Sequence, residues 1–175
     1  MEFANPSLII GLVLWFVGYI FVLNGINLLG KMSAKECGVW NITISSFMFL
    51  CIILSMIFQL FGEGTWYMVG GIFLFAFTYF MIGMNNVLQM DSRALGYYCL
   101  LVAIITPFIA QGNFALGDWR FGIIWLIWGV AWFIFYLIMA LGKTALACPA
   151  LGWIVILIGI VTAWAPGYMM LRGWW

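Results

Sequence analysis

Four aromatic side chains carry the chain's clearest chemical signal. Phe121, Trp125, Trp128 and Trp132 are spaced by four, three and four within WRFGIIWLIWGVAWFIFYLIMALGK. At about 100° per residue they fall in an arc of roughly 60° on one helix face. Flat rings and indole N–H groups on one face suit passage of a small, planar, uncharged solute. They equally suit packing in a bulky helix seam, where a buried indole N–H still requires a partner. Trp119 needs neither explanation, because indoles gather where a membrane helix meets water.

What is missing narrows the chemistry further. The 175 residues include no histidine, six basic side chains and five acidic ones. Glu63 is the only charged residue between 37 and 88, and none falls between 94 and 117 or between 121 and 142. No interior position offers paired carboxylates, a metal-ligand cluster or a serine with a base, which rules out intramembrane hydrolases and most other enzymes. The same absence argues against proton coupling, which uses an ionisable group at mid-membrane. No charged ring or carbonyl filter for ions is evident, nor a helix broken at mid-depth for sodium. Cys37, Cys51, Cys99 and Cys148 lack metal-ligand spacing and read as reduced packing thiols. No cofactor, metal or nucleic-acid partner is expected.

The elements that must hold the stripe are membrane helices. With 67% hydrophobic residues in continuous rather than alternating runs, the chain reads as an all-α integral membrane protein. Six spans are predicted, at about 8–29, 34–60, 66–88, 94–113, 119–142 and 149–170, forming one domain over 1–175. Connections of about three to seven residues make consecutive helices antiparallel neighbours, hence three helical hairpins in succession around a pore. Start signals are legible: Asn5-Pro6, the capping box Ser33-Ala-Lys-Glu36, Thr65 or the glycines before it, Asp91 or Ser92, Asp118, and Cys148-Pro149. Pro166 predicts a freed carbonyl near 162 and a kink. Asn24, Asn41, Ser45, Ser46 and the Asn85-Asn86 pair are expected mainly to bond between helices.

No cleavable signal peptide is evident at the start MEFANPSLIIG, where Glu2 stands in place of a positive region. Lys31, Lys35, Arg93 and Lys143 share one side, against Arg120 and Arg172 on the other with both termini. Four against two predicts that both termini lie outside the cytoplasm.

Taken together, GLVLWFVGYIFVLNGI, FAFTYFMIGMNN with Asp91-Ser92-Arg93, GDWRFGIIWLIWGVAW and GIVTAWAPGY resemble the AmiS/UreI family of urea and short-chain amide channels. The resemblance covers nearly the full length. It implies a six-helix protomer of the bacterial inner membrane, in a homo-hexamer where each protomer has its own pore. It implies pore-lining roles for Leu14, Val17, Phe21 and Asn24 from the first helix and for Phe77 and Met81 from the third. From the fifth it implies Phe121, Trp125, Trp128, Ala131 and Trp132, and from the sixth Ile158. The first-helix set independently falls within about 80° of arc.

The family's acid-gated branch has a long histidine-bearing loop between the second and third helices, where this chain has roughly FGEGT. That branch has a glutamate where Ile158 stands, a constriction tyrosine expected at Met81, and a leucine at Ala131. The resemblance implies a passive, constitutively open channel for urea or a short-chain amide, with a slightly wider or softer constriction and no histidine acid gate. Its partners would be the small neutral solute and membrane lipid. A non-transporting scaffold or partner-binding subunit, with the aromatics as packing only, is the alternative; a coupled transporter is the third reading.

Overall fold

The computed structural model describes residues 6–175, with side chains described from residue 8. Local sequence rules set most helix ends. α1 covers Pro6–Leu28, and the Asn5 cap expected before it lies outside the described residues. α2 covers Ala34–Phe58 and opens on the full capping box, in which the Ser33 side chain accepts from the Glu36 N–H and the Glu36 carboxylate from the Ser33 N–H. It stops two residues before the expected end, because Gln59 turns left-handed and its N–H closes on Ser55. α3 covers Thr65–Leu88 and ends on a second left-handed residue, Gln89. α4 covers Arg93–Ala115, and α5 covers Trp119–Met139, where Asp118 Oδ1 accepts from the Phe121 N–H. The sixth span joins α6 (Pro149–Ile158), a π-helical turn (Gly159–Trp164) and α7 (Ala165–Leu171).

All six spans are long and apolar enough to cross a bilayer. Trp40, Trp66, Trp119, Trp153 and Trp174 are exposed near helix ends, where half-wet indoles belong. Leucine, isoleucine and valine side chains such as Leu50, Leu101, Val130 and Val161 face outward from the middles of the helices, as a lipid-solvated surface requires.

The tightest seams are shifted by one helix from the expected three hairpins in succession. α2 packs on α3, α4 on α5, and α1 on the sixth span, so the two ends of the chain close the bundle. The cause is the placement of small residues. Gly11, Gly18 and Gly25 recur every seven residues and meet Gly167, Trp164 and Gly152 of the sixth span, leaving no room for a Cβ. Backbones can approach that closely in lipid only at such stripes. Between α4 and α5, a Cβ on Gly129 would fall on Thr106 Oγ1. α5 makes no comparable seam with the sixth span, and space is left between the three pairs.

Two helices absorb a proline. In α4, Pro107 cannot donate to the Ala103 carbonyl, and the Thr106 hydroxyl donates there instead at 2.9 Å. In the sixth span, the local widening before Pro166 takes the form of the π-helical turn, with the Ala165 N–H reaching Ile160 O. The span stays helical from Pro149 to Leu171, so the irregularity expected at Pro166 is this turn and not a break. The Ile158 carbonyl accepts from the Thr162 hydroxyl at 2.6 Å, so it is not left open to an ion.

Candidate functional site: two cavities meeting at a tryptophan

The space between the helix pairs forms two cavities. A wide one of about 630 Å³ lies toward the end that holds Phe121, between α1, α3, α4 and α5. A narrow one of about 130 Å³ lies toward Asn24, between α1, α3, α5 and α6, with Cys99 of α4 at its wall. Trp128 lines both, and no other described residue does. No charged side chain lines either cavity. The acidic and basic residues stay at helix ends and loops, as the cost of a charge in hydrocarbon demands.

The indole stripe is the wall between them. Trp125 faces the wide cavity, Trp132 the narrow one, and Trp128, only 1% exposed, stands at the waist. Phe75 of α3 sits among all three, its ring centroid 5.9 Å from Trp125 and 4.7 Å from each of Trp128 and Trp132. Edge-to-face contact, 82° at Trp128, is the arrangement that ring quadrupoles favour. Phe21 and Phe75 both abut the Tyr79 ring, at 6.1 Å.

The indole N–H groups of the waist are engaged. Trp128 Nε1 donates to Thr162 Oγ1 at 2.9 Å, and Trp132 Nε1 donates to Thr78 Oγ1 at 3.1 Å. This changes the sequence reading, in which indoles offer ring faces and free donors together. Here the two deepest offer ring faces. The Tyr79 hydroxyl, by contrast, is buried with no described partner, on a residue that lines the narrow cavity. Such an unpaired buried group is rare and costly.

Of the residues singled out from sequence, Leu14, Val17, Phe121 and Trp125 line the wide cavity. Phe21, Asn24, Ala131 and Trp132 line the narrow one. Phe77 and Met81 line neither and need correction. Phe77 is 46% exposed, stacked on Phe73 with centroids 5.3 Å apart. At about 100° per residue, Phe77 and Met81 lie roughly 150° and 110° from the centre of the α3 face that holds Gly71, Phe75, Thr78, Tyr79, Ile82 and Asn86. Phe75 and Tyr79, each two residues earlier, take the wall positions, and the softer constriction expected from Met81 loses its basis. Ile158 lines neither cavity; its carbonyl anchors Thr162.

Sequence reading passed over Phe75, Thr78, Tyr79 and Thr162 as lining or anchoring residues. The signal was present in the FTY and TAW segments, as hydroxyl residues one turn from an aromatic face. Asn24 pairs with Asn41, the Asn41 Nδ2 donating to Asn24 Oδ1 at 2.8 Å, and the Cys37 thiol donates to the same oxygen at 3.1 Å. Asn85 reaches Ser92 at 3.3 Å, whereas Ser45 bonds its own helix and Ser46 is exposed. Asn86 lines the narrow cavity with no described side-chain hydrogen bond.

The comparisons with known proteins agree on one family. A family model described as AmiS/UreI family transporter matches residues 9–174. A putative amidate substrates transporter protein of Mycolicibacterium smegmatis is 33% identical over 167 residues, 94% of this chain and 78% of the relative. The acid-activated urea channel of Helicobacter pylori is 30% identical over 200 residues, 95% of this chain and 99% of the relative. The crystal structure of the urea channel from that gastric pathogen superposes with a TM-score of 0.84 at 28% identity, covering 95% of this chain and 99% of the other.

Proposed function

This chain belongs to the AmiS/UreI family of transporters, and from that premise we propose that it is a passive channel for urea or a short-chain aliphatic amide. The observation that carries the proposal is the pair of cavities, toward opposite ends of the bundle, meeting at one tryptophan with no charged side chain on either wall. A small amide loses about 4–8 kcal/mol of hydrogen bonding on entering hydrocarbon. The pathway lowers that barrier with a few polar groups: Asn24, Asn27, Asn86 and the Tyr79 hydroxyl toward the narrow end, and Asn113 in the wide cavity. Ring faces at the waist match the flat sides of the solute. A coupled transporter would need an ion site, and no charged side chain lines either cavity to form one.

The channel works without a histidine acid gate, since the chain has no histidine. The H. pylori alignment spans 200 positions, more than this whole chain of 175 residues, and the α2–α3 connection here is only a short turn around Gly62–Gly64. Lys31, Lys35, Arg93 and Lys143 orient the narrow end toward the cytoplasm of a bacterial inner membrane, with both termini outside. Six protomers, each with its own pathway, form the assembly.

Reconstituted vesicles test this reading. Urea or acetamide should cross faster than in protein-free vesicles, without saturating and without an ion gradient. Flux equal to that of empty vesicles returns the protein to the scaffold class, and flux that requires a proton or sodium gradient makes it a coupled transporter.

A further inference from the structure

Few polar contacts cross between the three helix pairs, and two of them meet at the waist. The Asn24–Asn41 amides join the α1 pair to the α2–α3 pair. The α4–α5 pair is tied to the sixth span by Trp128 to Thr162, and to α3 by Trp132 to Thr78 and by the Tyr98 hydroxyl, which donates to Leu74 O at 3.1 Å. Each threonine has a single hydroxyl proton, and each donates it to the carbonyl four residues earlier, Ile158 or Leu74, at 2.6 Å. The direction is therefore fixed. The hydroxyl oxygen presents a lone pair to the indole and has no proton left for anything in the cavity. Both threonines are more than nine-tenths buried. Thr162 lies inside the π-helical turn, held against α1 because Gly159 leaves space for the Phe21 Cβ.

We propose that Thr162 and Thr78 are positioning residues that set the discrimination between solute and water at the waist; this inference rests on the channel reading above. By holding two indole N–H groups away from the passage, they leave ring faces and one tyrosine hydroxyl there. A file of water molecules needs a donor or acceptor at every step and finds almost none. A planar amide lays its faces on the rings and needs hydrogen bonds only at its edge. The threonines act through the tryptophans and do not themselves touch the solute.

Thr162→Val keeps the side-chain shape while removing both hydrogen bonds, which frees the indole N–H and the Ile158 carbonyl for water. In proteoliposomes, stopped-flow measurement of urea and water permeability should show the urea-to-water ratio falling about tenfold, the upper range of what one hydrogen bond is worth. Thr162→Ser restores the acceptor and keeps the ratio within about twofold of wild type, and Thr78→Val lowers the ratio as Thr162→Val does. The nitrogen-15 indole resonance of Trp128, assigned by its loss in Trp128→Phe, shifts in Thr162→Val and stays in place in Thr162→Ser.

A wild-type ratio in Thr162→Val with a shifted indole resonance overturns the inference, as does an unshifted resonance in Thr162→Val or loss of the ratio in Thr162→Ser. Should Thr162→Val fail to assemble, Thr78→Val and Thr162→Ser decide the matter alone. Absence of urea flux in the wild type instead removes the channel reading, so the two failures are distinguishable.

Discussion

Trp128→Ala is the perturbation that most directly tests a passage governed at one residue. Trp128 is the one described side chain shared by the cavities of about 630 and 130 Å³. Truncating it to a methyl group joins them into one space, deletes the bond to Thr162 Oγ1 and removes an edge-to-face contact with Phe75. Buried Trp→Ala changes cost about 3–5 kcal/mol where the hole stays empty. The hole here opens onto existing cavities that water can enter, so the lower end applies. A solute crossing the joined space keeps part of its hydration. Each hydrogen bond kept is worth about 0.5–1.5 kcal/mol, or roughly two- to twelvefold in rate. Keeping one or two raises urea permeability by about tenfold or more. The gain grows with solute size, because the ring no longer sets the cross-section. The assay is a series of urea, acetamide, propionamide and butyramide in stopped-flow vesicle swelling, with Trp128→Phe as the control that keeps a ring and loses the N–H. A permeability series for Trp128→Ala with the same size dependence as wild type would refute the reasoning, since the waist would then lie elsewhere.

Three further expectations follow from the same geometry. Phe75→Ala changes urea flux at least about fivefold because its ring contacts all three indoles, whereas the exposed Phe77→Ala stays within about twofold; equal effects would return the wall to Phe77. Gly129→Ala forces a methyl group onto Thr106 Oγ1 in the α4–α5 seam and destabilises the protomer by about 1–3 kcal/mol, read as a lower melting temperature in detergent. Urea flux at pH 5 and pH 7.5 agrees within about twofold, since no histidine exists to charge in that range and no carboxylate lines a cavity; tenfold activation by acid would reveal a gate.

Legibility from sequence followed the strength of each physical signal. The six spans were plain because twenty apolar residues in a row have few other homes, and the capping box at Ser33 marked one helix start to the residue. The stripe on α5 was plain because indoles at four-three-four spacing must share a face. Partners were harder. The pairing of α1 with the sixth span depends on glycines at 11, 18 and 25, a seven-residue stripe that apolar composition hides easily. On α3, Phe75, Phe77, Phe80 and Tyr79 offer aromatics on every side, so ring type could not choose a face. Gly71, Thr78 and Asn86 do choose it, because small and polar residues have a reason to avoid lipid that phenylalanine lacks.

That last distinction explains why the hydroxyls matter more here than their number suggests. In a membrane interior a threonine satisfies itself by bonding back to its own helix, and Thr43 and Ser55 do no more than that. Thr78 and Thr162 make the same backward bond and use the remaining lone pair to receive a tryptophan from another helix pair. An N–H of α5 is thereby satisfied without a charged residue, a bound water or a close α5–α6 seam. The bundle can then keep an aromatic slot between its pairs at little polar cost. Tyr79, whose hydroxyl lacks such a partner, stands out as the group on that slot with an unmet hydrogen bond, which a passing amide edge can supply.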